Sequence, residues 1–290
     1  PLDWMALTKF YGVKSTYNAG DDIYEFSNSG GTFIIDGAGF DTINASDATL
    51  DVTIDLRSGA HSHLGDKSDY ITVANQLTIS HGSDIENAIT GSGDDIVIGS
   101  NLDNVISTGN GLDTIFAGGG ADIIKSGTGA DQIDLSEAVQ SRDTVFLDVP
   151  SANLGFDEIY GFVQGALGDI FDISAILGSS FELFPLVALG SAPTANFDGG
   201  ILRLIGSDVS TSNDLSGSFK IGGGLETLSM SKGASAVIIS ADSQSTGESQ
   251  FIFLAEQNSG EGISITQLAV LQGNALDIDH WHTENFSIIA

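Results

Sequence analysis

Cut every nine positions, residues 90–134 read TGSGDDIVI, GSNLDNVIS, TGNGLDTIF, AGGGADIIK and SGTGADQID, and the frame never slips. The eighth position is always aliphatic: Val97, Ile106, Ile115, Ile124 and Ile133. The sixth holds Asp95, Asn104, Asp113, Asp122 and Asp131. A weaker upstream copy, HGSDIENAI, puts Glu86 and Ala88 at the same two places. Nine residues comprise a glycine turn of about six and a strand of about three with one inward side chain, so two copies make one full turn of a parallel coil. The pattern predicts an all-β protein built on a parallel β-roll.

Around the roll the pattern changes. Residues 1–12 place Trp4, Leu7 and Tyr11 with Met5 and Phe10 at helical spacing, and Gly12 follows, which predicts one short amphipathic helix. Over 13–89 apolar runs at Ile23 to Phe26, Phe33 to Ile35, Val52 to Leu56 and Ile71 to Ile79 predict strands, parted by turns rich in Gly, Asn and Asp. Residues 135–178 return to strand and turn, with Ile159, Phe162, Ile170 and Ile173 expected to cap the roll. Beyond residue 178 aspartate thins out, and ILRLI, FKIGG, AVIIS, QFIFLAE and ISITQLAVLQ predict an all-β segment, a sandwich or an extended sheet. The expected division is therefore 1–178, containing helix 1–12, β segment 13–89, roll 90–134 and cap 135–178, followed by 179–290.

Composition adds a constraint on partners. Against 39 acidic residues stand 9 basic ones, a formal net charge of −30, which disfavours nucleic acid and anionic membrane as partners. The acids are chiefly aspartates set among 37 glycines in turn-like clusters, not in the uninterrupted blocks of a solvated tail. With no cysteine, thiolate zinc sites, disulfides and cysteine nucleophiles are excluded. No apolar run approaches the ~18 residues of a membrane span, and a chain that begins at Pro1 reads as a piece of a longer one.

Short acids on glycine turns suit a hard cation. Calcium takes six to eight oxygens at about 2.3–2.6 Å, more than one turn offers, so the remainder must come from the turn stacked on it two repeats along. On one edge the turns of Asp95, Asp113 and Asp131 stack, with carbonyls expected from Gly91, Gly93, Gly109, Gly111, Gly127 and Gly129. The other edge stacks Glu86, Asn104 and Asp122, the last on a turn with Gly118 and Gly120. Its middle turn is degraded, because Leu102 replaces a glycine and Asn104 a carboxylate, so a weaker or absent site is expected there. About three to six calcium ions in all are expected from inter-turn sites.

The nonapeptide with Gly at two and four, Asp at six and an aliphatic at eight is the motif of calcium-binding RTX proteins. More specifically, WMALTKFYG, AGDDIYEF, IDGAGFDTI, VTIDLRSG, LTISHGSDIENAITGSGDDIVIG and DEIYGF…DIFDIS follow one another as in the C-terminal domain of the serralysin metalloproteases. Residues 1–178 resemble that domain, which also occurs in large RTX adhesins. The resemblance implies calcium at the IDGAGFD turn through Asp36, Gly37, Gly39 and Asp41, with Asp22 as a companion. Phe40 departs from the usual polar residue there. It also implies type I secretion by an uncleaved C-terminal signal, which Glu284 to Ala290, acidic then apolar, resembles.

Catalysis finds little footing. The H-E-x-x-H of the serralysin zinc site is missing, as is any G-x-S-x-G elbow. His61/His63 and His280/His282 are spaced for one strand face but lack an evident third ligand, so solvated loops are expected. Trp4 and Trp281 are expected in the core, and Asp21-Asp22 and Asp94-Asp95 in calcium turns. The expected function is a non-enzymatic module for calcium-dependent folding and type I secretion, ending an exported protein that is secreted, extracellular or at the bacterial cell surface. A cell-surface adhesin, with a surface or host ligand, is the first expected parent. A secreted serralysin-like zinc protease is the second, and a structural surface-layer protein the third.

Overall fold

The computed structural model describes residues 2–27, 30–148 and 155–177. Of the remainder it describes 182–183, 187–188, 195–196, 198, 200–206, 228–230, 234–242, 249–257, 263–272, 281 and 283–287. The chain divides into two compact units, Pro1–Asp143 and Thr144–Ala290.

The first unit opens with α1 (Leu2–Tyr11). Gly12, at φ +70°, ends it by donating its N–H to the Thr8 carbonyl at 2.8 Å. The helix forms as expected, but its expected apolar stripe is not buried along the described side chains. Phe10 and Tyr11 are 79% and 84% exposed, Leu7 is exposed too, and Thr8 is buried instead. Periodicity reports which residues share a face, not whether anything covers that face. The side chains of Trp4 and Met5 lie outside the described residues.

Strands β1 (Ile23–Glu25), β2 (Thr32–Ile34), β3 (Thr42–Asn44), β4 (Val52–Asp55), β5 (His61–Leu64) and β6 (Gln76–Ile79) precede the repeats. The run predicted over Ile71 to Ile79 shortens to β6, and the histidines at 61 and 63 sit on a strand, not in a loop. Three-residue strands then mark the nonapeptides: β7 (Asn87–Ile89), β8 (Ile96–Ile98), β9 (Val105–Ser107), β10 (Thr114–Phe116), β11 (Ile123–Lys125) and β12 (Gln132–Asp134).

Odd and even repeats go to opposite walls. Within this unit one sheet runs β1-β3-β7-β9-β11 and the other β12-β10-β8-β4-β5-β6-β2. Ile115 pairs in parallel with Val97 and Ile133, and Ile106 with Ala88 and Ile124, so every aliphatic of the eighth position lies over the one two repeats away. All of them are buried between the walls. Strands this short carry few ladder bonds of their own, so stacking of neighbours supplies their stability. β4 takes the place of a nonapeptide strand, with Ile54 beside Val97, and leads into the antiparallel β4-β5-β6 meander.

The second unit begins with β13 (Thr144–Phe146), β14 (Asp157–Tyr160), β15 (Ile170–Asp172) and α2 (Ser174–Leu177). Next come β16 (Glu182–Leu183), β17 (Val187–Ala188), β18 (Ala195–Asn196), β19 (Gly200–Gly206), β20 (Leu228–Ser229), β21 (Ser235–Asp242), β22 (Ser249–Gln257), β23 (Ile263–Gln272) and β24 (Phe286–Ser287). Of the two expected architectures for the last third, an extended mixed sheet forms, in the order β16-β19-β21-β22-β23-β14, with β21, β22 and β23 antiparallel. FKIGG lies outside the described residues.

β15 lies between β13 and β24, and Phe162 stacks on Phe171 at 4.3 Å between centroids. Trp281 and Phe286 join this aromatic cluster, which confirms Trp281 as a core residue. Ile159, Phe162 and Ile173 are buried as well, while Phe171 takes the inward place expected of Ile170. Among the described residues no helix is long and apolar enough to cross a membrane.

Candidate metal centre

Each glycine turn must pass close over the turn stacked on it, and only residues without a side chain permit that approach. Gly127 holds φ +85°, and a Cβ there would lie 2.0 Å from the Gly109 carbonyl oxygen. Gly111 holds φ +145°, with Gly93 O at 1.9 Å from the corresponding position. Stacking is tied by backbone bonds: Gly91 O accepts the Asn110 N–H at 3.0 Å, and Gly109 O accepts that of Thr128 at 2.8 Å.

The acids of the sixth position form a ladder on each edge. On the first, Asp95 Oδ1 accepts the Val52 N–H at 2.7 Å, Asp113 Oδ1 that of Asp95 at 2.8 Å, and Asp131 Oδ1 that of Asp113 at 2.9 Å. The second edge runs through Asp22, Asp41, Glu86, Asn104, Asp122 and Asp143. Asp41 Oδ1 accepts the Asp22 N–H at 2.8 Å, and Glu86 Oε2 that of Asp41 at 2.8 Å. Further along, Asp122 Oδ1 accepts from Asn104 N at 2.7 Å and Asp143 Oδ1 from Asp122 N at 2.9 Å. The IDGAGFD turn is thus the upstream part of the same edge as Glu86 and Asp122.

The fifth positions make an outer ladder. Asp94 accepts the Leu112 N–H at 2.9 Å, Asp103 that of Ala121 at 2.8 Å and Asp51 that of Asp94 at 3.0 Å. Asp21 accepts from Phe40 N at 2.9 Å, so the first member of each carboxylate pair, Asp21 and Asp94, ties one turn to another.

One oxygen of each sixth-position acid is spent on the backbone; the other is the candidate ligand. Asp41, Asp95, Asp113 and Asp122 are buried, and the Oδ2 of each has no hydrogen-bond partner. A buried, partnerless carboxylate oxygen is costly unless an ion meets it. Asn104 differs: Oδ1 accepts the Ser100 N–H at 2.7 Å and Nδ2 donates to the Glu86 carbonyl at 2.8 Å, so protein groups satisfy it entirely. Carboxylate oxygens of Asp22, Asp36 and Asp41 lie within 4.8 Å of one another. Asp36 accepts from Ala38 N at 3.0 Å and from the Tyr24 hydroxyl, whose phenol is held protonated by burial and by that bond.

Burial raises these acids. Asp113 is pushed up to about 7, against the Asp95 N–H and with repulsion from Asp131 and Asp95. Asp122 rises to about 8, burial again leading and the charges of Asp143, Glu137 and Asp103 adding to it. Asp41 rises to about 7 by burial and the nearby Asp36 and Glu86, and Asp131 to about 6 by burial. Asp95 and Glu86 shift upward for the same first reason. A donor set of oxygens alone, anionic and buried, fits a hard divalent cation such as calcium and suits softer metals poorly.

The frame ends at residue 134, and with it the sequence reading missed Asp143. The signal was present in Asp143-Thr144-Val145, which repeats the acid-x-aliphatic order of Asp131-Gln132-Ile133 after a turn without glycine. Of the histidines, His61 Nδ1 sits 2.8 Å from Thr78 Oγ1, and His63 is shifted downward by burial and then Lys67. His280 and His282 lie outside the described residues.

The profile of the family described as Peptidase M10 serralysin C terminal matches residues 6–176. Serralysin of Proteus mirabilis is 34% identical over 118 residues, 36% of this chain and 23% of the relative. The metallopeptidase AprA of Pseudomonas marginalis is 34% identical over 118 residues, 36% of this chain and 24% of the relative. Serralysin G of Dickeya chrysanthemi is 36% identical over 120 residues, 37% and 24% of the two chains. The matched stretch spans about a quarter of each of these relatives.

Proposed function

Because this chain belongs to the serralysin C-terminal family of the M10 peptidases, we propose that residues 1–178 are the calcium-binding, calcium-folded module through which a serralysin-like protease is exported. That family is the non-catalytic C-terminal part of serralysins, and the present sequence holds no H-E-x-x-H. The named relatives are serralysins and a metallopeptidase, which favours the protease parent, the second expected from the sequence, over the adhesin expected first and the surface-layer protein expected third.

One observation carries the reading. In two ladders of buried carboxylates in register with the repeat, Asp95 and Asp113 on one edge and Asp41 and Asp122 on the other each keep an oxygen with no hydrogen-bond partner. Asp95, Asp113 and Asp131 on one edge, and Asp22, Asp36, Asp41, Glu86 and Asp122 on the other, would hold the ions, with carbonyls of the glycine turns completing the shells. Calcium supplies positive charge where like charges otherwise stack turn upon turn, so its binding free energy becomes folding free energy.

With a net charge of −30 and little calcium inside a cell, the chain stays extended enough to thread a type I channel; millimolar calcium outside then closes the roll. The acidic-apolar segment Glu284 to Ala290 fits that order of events. Asn285 donates to the Asp169 carbonyl at 2.8 Å, and Phe286 is buried on β15, so this segment can be read as a signal only before the second unit folds. Residues 288–290 lie outside the described residues.

Far-UV circular dichroism of the EDTA-stripped chain, titrated with calcium and in parallel with magnesium, tests the proposal. A cooperative gain of β signal with calcium alone is expected. A stripped chain that is already folded and indifferent to calcium would overturn it.

A further inference from the structure

Ser62 decides which face its two histidine neighbours take. Its hydroxyl accepts the Asp55 N–H at 3.0 Å and the residue is buried, so on β5 Ser62 turns inward while His61 and His63 turn outward together. Two residues apart on one strand face, they stand roughly 6.6 Å apart along the strand, within the reach of two imidazoles that share one ion. Across the ladder His61 pairs with Thr78 of β6, and His63 with Gln76. Thr78 Oγ1 lies 2.8 Å from His61 Nδ1, which holds that ring by the nitrogen nearer the backbone. In the tautomer whose Nδ1–H donates to Thr78, Nε2 keeps a free lone pair. The segment joining β5 to β6 folds over the pair, and His61, His63, Lys67, Asp69, Ile71 and Gln76 line one cavity of about 220 Å³. None of the ladder acids lines it.

We infer that His61 and His63 form a two-imidazole site for a transition-metal ion of the copper(II) or zinc class on the outer face of β5. The donor type separates this site from the ladders. Imidazole nitrogen suits copper, zinc and nickel, whereas calcium takes oxygen ligands, so one chain sorts two kinds of ion by chemistry. Lys67 and Asp66 both act on His63, one charge of each sign, so the overlying segment brings the ion no one-sided repulsion. Two protein ligands leave the other coordination positions to water or to a donor from a partner molecule. Copper(II) heads the divalent series at such sites and is the ion expected to bind tightest.

Calorimetric titration of the calcium-loaded full chain with copper(II), with electron paramagnetic resonance on the same samples, tests the inference. Wild type is expected to bind an ion whose spectrum carries hyperfine structure from two imidazole nitrogens. The double variant His280→Ala/His282→Ala, which leaves β5 untouched, is expected to keep it. His61→Ala and His63→Ala should each weaken binding by about tenfold or more and reduce the two-nitrogen pattern, with calcium binding unchanged. Copper binding that survives in both β5 variants, or that vanishes with His280 and His282 alone, overturns the site. A loss of copper that comes only with a loss of calcium traces to the fold and overturns it too. Circular dichroism in calcium shows whether each variant folds. Should an alanine variant fail, His61→Gln or His63→Gln, which keeps a polar side chain and withdraws the imidazole, is read by the same measure.

Discussion

Asp113 and Asn104 occupy the same place in their repeats and have opposite needs. Each holds a backbone group with one side-chain atom, but Asp113 keeps a buried oxygen with no hydrogen-bond partner, whereas Asn104 spends its amide on the Glu86 carbonyl. The pair defines two reciprocal substitutions. Asp113→Asn preserves the bond to Asp95 and removes the anionic ligand, so calorimetric titration is expected to find calcium at the adjoining turns weakened by about tenfold or more. Asn104→Asp should do the reverse, strengthening calcium binding on the second edge.

A nonapeptide is too small to be stable alone, and its two halves fail for different reasons when altered. In the turn, Gly127→Ala meets both a positive φ and a carbonyl 2.0 Å from the new carbon. A loss of about 1–3 kcal/mol in calcium-loaded denaturant unfolding is expected, with a fall in calcium affinity because the turn is displaced. In the strand, Ile115→Ala empties a fully buried position between Val97 and Ile133. Its expected cost is about 2–5 kcal/mol, read by the same unfolding experiment, with the number of bound ions unchanged. A variant that lost ions with Ile115 would mean that the aliphatic stack and the turns are not separable.

Across the whole molecule the acids couple stability to pH. In the metal-free fold Asp131, Asp41, Asp113 and Asp122 titrate at about 6, 7, 7 and 8, above the 3.8 of a free aspartate. Between about pH 4 and pH 8 the folded chain therefore binds more protons than the unfolded one, and its stability falls as pH rises through that window. In EDTA the far-UV β signal should be larger at pH 5 than at pH 8. Calcium takes the place of those protons, so the loaded chain shows the opposite trend, and calcium addition at pH 6 releases protons that a weakly buffered titration detects. A stripped chain whose stability rose with pH would contradict the burial of these carboxylates.

Much of this was legible in the residues themselves. A strict period of nine with an acid at six and an aliphatic at eight determines a β-roll, its inward stack and its two edges, because each repeat can satisfy its glycine turn and its one apolar side chain only by stacking on the next. Contacts between residues far apart in the chain were not legible. Val52 meets Asp95 across 43 residues and Asp41 meets Glu86 across 45, joining stretches with no common period into the same ladders. The same holds for Asp143, which closes a turn of another length, and for Phe10 and Tyr11, whose helical spacing could not tell a covered face from a bare one. Local pattern fixes which face a side chain takes; which oxygen is left over for a cation depends on what the neighbouring turn brings, and only the assembled roll decides that.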